Sequence, residues 1–136
     1  MARIVKDVLS LDDIHLSGKR VLYRVDINSP LHPETGAFLD DGRLRAIIPT
    51  LNGLSEAKVV ILGHQSRPGK DDFTDLSGHA ERLRRILGRP IRFVPDVCGK
   101  QAIDAIRSLK NGEILCLDNV RMNNEEISLK KAVLEE

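Results

Sequence analysis

The chain has 136 residues, a formal net charge of +1, aromatic residues at 3% and no Trp. That length suits one domain with a proper core, and the even charge and scarce aromatics exclude a basic nucleic-acid surface or a base-stacking platform. Cys98 and Cys116 have no partner at metal-ligand spacing, which predicts two buried thiols in a reducing cytosol. The first residues carry no signal-peptide core and no run reaches membrane-spanning length. The expectation is a cytoplasmic enzyme or binding domain.

Residues 1 to 20 form a polar lead-in with Leu9, Leu11, Ile14 and Leu16 as packing points. Ser17-Gly18-Lys19-Arg20 has the look of a phosphate loop, but it precedes a strand and lacks the first glycine, so it is expected as a turn. Val21 to Asn28 is the first strand. Asp26 and Asn28 lie two apart and share one side, either as turn formers or as ligand contacts. Pro30 ends pairing. A loop from His32 to Phe38 follows. Asp40 and Asp41 then supply the cap and acid of a helix start, with Leu44, Ile47, Ile48, Leu51 and Leu54 at helical spacing. Pro49 predicts a kink or two short helices, the second opened by the proline. Arg43 sits in the first turn, where a surface ion pair of little worth is the plain alternative to a functional role.

Val59 to Leu62 is an apolar run with three β-branched residues. It is too short for a helix and reads as a strand buried on both faces. It opens into Gly63-His64-Gln65-Ser66-Arg67-Pro68-Gly69-Lys70. Asp75 is expected to cap a helix with Leu76, Ala80, Leu83, Ile86 and Leu87 on its apolar face, stopped by Gly88. Arg82, Arg84 and Arg85 fall on its solvated face, and His79 is expected to pack or lie at the surface. Ile91 to Val94 is a third strand, ending in Pro95-Asp96. Ala102, Ile103, Ile106 and Leu109 make a third helix. Glu113 to Leu117 is a fourth strand, ending in Asp118-Asn119-Val120-Arg121. A last helix is expected from Asn123 or Asn124, with Ile127, Ala132 and Val133 as core positions.

Strand followed by helix, four times, predicts an α/β fold with an open parallel sheet, Rossmann-like and layered α/β/α, with right-handed crossovers. Parallel strands present their carboxyl ends on one edge, where ligands of open sheets bind. Asp26, Asn28, His64, Arg67, Asp96, Asp118 and Arg121 would meet there. Arginine forks suit a phosphate or carboxylate, His64 could add a hydrogen bond, and Asp26 and Asn28 could read a hydroxyl. The residues thus predict a pocket for a small, hydroxylated, multiply anionic metabolite.

Four motifs carry a resemblance to a known family. Arg24-Val-Asp26-Ile27-Asn28-Ser-Pro30 is similar to Arg-Val-Asp-Phe-Asn-Val-Pro. Asp41-Gly-Arg43-Leu44 is similar to Asp-x-Arg-Ile, with Ile48-Pro-Thr-Leu51 following. Gly63-His64-Gln65-Ser66-Arg67-Pro68 is similar to Ser-His-Leu-Gly-Arg-Pro, and Leu117-Asp-Asn-Val-Arg121-Met122 to Leu-Glu-Asn-Val-Arg-Phe. In order and in register from about Lys19 to Glu126, they resemble the N-terminal, 3-phosphoglycerate-binding domain of phosphoglycerate kinase. The His-Gln-Ser-Arg form looks like the archaeal branch.

The resemblance implies reversible phosphoryl transfer between 1,3-bisphosphoglycerate and ADP, giving 3-phosphoglycerate and ATP, with Mg2+ accompanying the nucleotide. It implies a substrate site of Asp26, Ile27, Asn28, Arg43, His64, Gln65, Ser66, Arg67 and Arg121. In that set His64, Arg67 and Arg121 hold the 3-phosphate, Asp26 and Asn28 orient the glycerate body, and Arg43 takes the catalytic role near the carboxyl end. Gln65 stands where the family has Leu, Ser66 where it has Gly, Asp118 where it has Glu and Met122 where it has Phe. Family members have two domains and are about three times as long. Residues 1–136 are therefore expected to be part of the N-terminal domain, with the nucleotide-binding domain and its Mg2+–ATP/ADP site absent and the chain alone inactive. Two alternatives from other classes are a non-catalytic anion-binding module and a receiver-like signalling domain. The basic strand tips disfavour the second.

Overall fold

A computed structural model describes residues 8–124 and 126; the expected core positions of a last helix, Ile127, Ala132 and Val133, lie outside them. Four strands form one sheet: β1 (Arg20–Arg24), β2 (Lys58–Leu62), β3 (Arg92–Val94) and β4 (Ile114–Leu117). Their spatial order is β1-β2-β4-β3, and every pairing is parallel. Register aligns Arg24 with Leu62, Ile61 with Cys116, and Val94 with Leu117. All four carboxyl ends therefore reach one edge.

The helices are α1 (Gly42–Ala46), α2 (Ile48–Gly53), α3 (Ser77–Leu87) and α4 (Lys100–Arg107). Strand alternation divides the core. Val59 and Ile61 pack with Leu44, Leu51, Leu76 and Leu83 on one side of the sheet. Val60, Leu115 and Leu117 pack with Ala102, Ala105 and Leu109 on the other. The sheet is thus sandwiched, with α1 to α3 on one face and α4 on the other. β2 and β4 are covered on both faces, which is why their sequences are almost wholly apolar.

Several expectations change in detail. β1 stops at Arg24, because beyond it only the Val25 amide still reaches the neighbouring strand, donating to the Leu62 carbonyl. The helix at Asp41 does break in two, with Pro49 in the first turn of α2, where its missing N–H is harmless. Asp41 precedes α1 but caps it with no side-chain bond; its carboxylate instead binds Arg45 and Arg82. Gly88 ends α3 with φ 74°, a left-handed conformation that favours glycine. Leu9, Leu11 and Ile14 are exposed and only Leu16 packs on the core. They precede the first strand and have no layer to lie against. Ile103 is exposed as well, because Ala102 and Ala105 form the α4 face that meets the sheet. Cys116 is buried in β4, and burial pushes its thiol up to about 12. Cys98 is exposed, so the expected second buried thiol is not found.

Candidate functional site

The edge where the strands end is built in two levels. The lower level is a buried polar knot. Gln65 is fully buried; its Oε1 accepts from the Ser29 amide (2.9 Å) and from His79 Nε2–H (2.9 Å), and its Nε2 donates to the Ser29 carbonyl (3.0 Å). Asn119, also fully buried, donates from Nδ2 to the carbonyls of Gln65 and Thr74, both at 2.8 Å. Its Oδ1 accepts the Arg121 amide (3.1 Å). Asp118 accepts from the amides of Leu76 (3.1 Å) and Asn119 (2.7 Å), tying the start of α3 to the end of β4. These bonds join the loops after β1, β2 and β4. They are fully satisfied, as buried polar groups must be to avoid a desolvation cost. Burial holds the His79 imidazole neutral, its pKa lowered to about 4, with the nearby Asp75 opposing only weakly. Phe38 meets the ring edge-on, centroids 4.8 Å apart.

Gly63 is needed where β2 enters this knot. A Cβ there would lie 2.8 Å from Ile27 Cγ1, closer than packed carbons approach. Its carbonyl accepts the Val120 amide (3.0 Å), bringing the β4 tip against the β2 tip.

The upper level is an open, cationic cleft of ≈ 490 Å³, lined by Asn28, His64, Arg67, Lys70 and Arg121 among others. Arg121 Nη1 donates to the Ser66 carbonyl (2.9 Å), and the Ser66 amide donates to Asn28 Oδ1 (3.0 Å). Asn28 therefore keeps its amide hydrogens available to a ligand. Ser66 has φ 58°, the one positive value outside glycine among the described residues. Its hydroxyl donates to Asp72 Oδ1. The side chains of His64, Arg67 and Lys70 have no hydrogen-bond or ion-pair partner among the described residues. The His64 imidazole has a lowered pKa, chiefly from burial and then from the Arg121 charge, with Asp26 opposing. A ring kept neutral beside cations can still donate one hydrogen bond to an anion.

Asp26 and Arg43 stand at the rim. Arg43 Nη1 binds Asp26 Oδ1 at 2.8 Å, with both side chains more than half exposed, so the pair adds little stability and can separate at small cost. Arg43 thus pairs across to the β1 loop rather than with the acids of its own helix start.

The structure brings Asn28, His64, Ser66, Arg67 and Arg121 together in one cleft, with Asp26 and Arg43 adjoining. It turns other named residues away. The Ile27 side chain is in the core, 1% exposed. The Gln65 side chain serves the buried knot, so neither reaches the cleft. Asp96, expected at the same edge, accepts the amides of Val97 (2.9 Å), Gly99 (3.2 Å) and Ala102 (2.9 Å), and these bonds lower its pKa. Its carboxylate is consumed by the start of α4. Asp118 is likewise spent on backbone amides. Lys70 and Asp72 also line the cleft, although the sequence pattern does not single them out. The available signal was the tight Arg67-Pro-Gly-Lys70 turn, whose Lys70 amide donates back to the Arg67 carbonyl (3.1 Å). Arg24 ends β1 and pairs with Glu126 at 2.6 Å.

Fold and cleft together define an open parallel α/β domain with a cationic site at the carboxyl edge of its sheet. A family model described as phosphoglycerate kinase matches residues 11–136. The phosphoglycerate kinase of Methanocorpusculum labreanum is 50% identical over 117 residues, 86% of this chain and 29% of that protein. That of Methanothermobacter thermautotrophicus is 49% identical over 120 residues, again 29% of its length. The crystal structure of phosphoglycerate kinase from Pyrococcus horikoshii superimposes with a TM-score of 0.84 at 37% identity, covering 88% of this chain and 30% of that one. The chain belongs to the phosphoglycerate kinase family. It spans under a third of the length of these relatives.

Proposed function

We propose that these residues supply the 3-phosphoglycerate site of a phosphoglycerate kinase, which moves a phosphoryl group reversibly between 1,3-bisphosphoglycerate and ADP in the cytoplasm. One observation carries the reading: three separate strand-tip loops place Asn28, His64, Arg67 and Arg121 around one cleft whose charge and hydrogen-bond donors suit a phosphorylated hydroxy acid. Arg67 and Arg121 would grip the 3-phosphate with charge-assisted bonds and His64 would donate a further one. Asn28 and Asp26 would fix the hydroxylated body. Arg43, always charged and held by a weak exposed pair, would turn from Asp26 to the carboxyl end and neutralise charge as the phosphoryl group moves. Such a reaction needs alignment and charge neutralisation more than covalent help from side chains.

Magnesium enters this reaction with the nucleotide, where it neutralises phosphate charge. Among the described residues no group of three or more His, Cys, Asp or Glu could hold a metal ion. The reading makes nucleotide and magnesium the business of residues outside residues 1–136, and the chain by itself inactive. The test titrates 3-phosphoglycerate onto the longest reading frame that carries these residues, comparing Arg121→Ala with Arg84→Ala. Arg84 pairs with Glu81 on the exposed face of α3, so only the first variant should lose affinity, by about ten- to a hundredfold. Equal affinities would remove the site assignment. Sustained turnover of ATP and 3-phosphoglycerate by residues 1–136 alone would remove the division of labour.

A further inference from the structure

We propose that the Ser66–Asp72 hydrogen bond is a clasp that positions Lys70 as an additional contact for the anionic end of the ligand; the inference rests on the function proposed above. Between the two clasped residues the chain runs through Arg67, Pro68, Gly69, Lys70 and Asp71. Within that loop the Lys70 amide donates to the Arg67 carbonyl (3.1 Å) and the Phe73 amide to the Lys70 carbonyl (3.1 Å). Successive tight turns therefore hold Arg67 and Lys70 at a fixed spacing. Both side chains line the cleft that also holds His64 and Arg121, and neither has a partner among the described residues. A lysine beside three other cationic or hydrogen-bonding groups, in a lining whose one carboxylate, Asp72, is bonded to Ser66, is arranged for an anion supplied from outside.

Ser66 shows how this loop is held. A serine at φ 58° adopts a conformation that L residues seldom take. Three bonds keep it there: the amide to Asn28, the carbonyl from Arg121 and the hydroxyl to Asp72. Glycine would adopt the same backbone without strain. The side chain stands at a position that disfavours one, and its single polar contact is the carboxylate at the far end of the loop. That carboxylate lines the cleft as well. A free acid there would repel an anionic ligand, and the Ser66 hydroxyl occupies one of its oxygens. Ser66 acts in this scheme as a positioning residue through Lys70, and Lys70 touches the ligand.

The test measures 3-phosphoglycerate binding and thermal unfolding on the longest reading frame that carries these residues. Lys70→Ala should weaken binding by about three- to tenfold, an exposed cation being screened. Lys70→Arg should restore most of it, and the melting temperature should not move. Ser66→Gly relieves the backbone strain and removes the clasp, so it should weaken binding while the melting temperature holds or rises. A purely structural role would move the two together. Asp72→Asn keeps an acceptor for the hydroxyl and should bind at least as well as the parent; weaker binding by Asp72→Asn would overturn the clasp. Arg121→Ala separates the two ideas. If it weakens binding while Lys70→Ala and Ser66→Gly do not, the clasp is wrong and the site stands. If Arg121→Ala has no effect either, the site reading itself falls.

Discussion

Two sets of polar side chains share the same strand tips and do opposite work. Ser29, Gln65, Asp118 and Asn119, joined by His79 of α3, point inward and satisfy one another or the backbone. His64, Arg67, Lys70 and Arg121 point outward into the cleft. The two sets alternate along the chain: His64 is out, Gln65 in, Arg67 out; Asn119 is in, Arg121 out. A strand tip therefore says where a polar residue lies, and its partners say what it does. The inner set holds three loops at the right spacing. The outer set keeps the charge that those loops present.

That contrast can be broken from the inside first. Gln65→Ala leaves the Ser29 amide, the Ser29 carbonyl and His79 Nε2–H without a buried partner. The expected loss is about 3 kcal/mol of stability, seen as a lower urea midpoint. An unchanged midpoint would mean that water replaces the amide and that the knot is not structural.

Arg67→Ala probes the outer set. It should leave the unfolding free energy from urea titration within about 0.5 kcal/mol and weaken 3-phosphoglycerate binding by about tenfold or more. A variant that loses stability instead would place Arg67 with the inner group.

Acid sharpens the comparison through His79. Its folded pKa, about 4, lies below the ordinary imidazole value of 6.5, so the unfolded chain binds the extra proton between those values. Stability is then fully present above pH 6.5, and falls as pH drops toward 4. At pH 5.5 the loss is about 1.4 kcal/mol. A His79→Gln variant, folded or destabilised, should lack this component of the slope. An identical slope in the variant would assign the acid lability to other groups.

The smallest effect is expected at the tip of β3, a third region of the same edge. Asp96→Ala removes the acceptor for three amides around the start of α4 and should cost about 1 kcal/mol, with 3-phosphoglycerate affinity unchanged. Lost affinity would bring Asp96 back into the site.

Much of this was legible in the residues. The apolar runs of β2 and β4 announce strands covered on both faces, and 3.6-residue spacing marks α3. His64, Arg67 and Arg121 follow such runs, so their arrival at one edge follows from parallel strands alone. Where β1 would end was less legible, since Val25 and Ile27 continue its alternation but enter the core after the ladder has stopped. Arg43 shows the limit differently. Its neighbours in sequence include Asp40 and Asp41, yet it pairs with Asp26, 17 positions away.

What the sequence determined by itself is local: the periodicities that make strands and helices, the glycine and proline stops, and the cations placed just past the buried runs. Each depends on neighbours within a turn or two of chain. Only tertiary structure decided the strand order β1-β2-β4-β3 and which tip residues face inward. Gln65 finds Ser29 across 36 positions, Asn119 finds Gln65 across 54, and Arg121 finds Ser66 across 55. Past the last ladder bond the two-residue alternation no longer dictates direction. A polar side chain then turns toward whatever partner the folded loops bring within reach, and remains free for a ligand where they bring none.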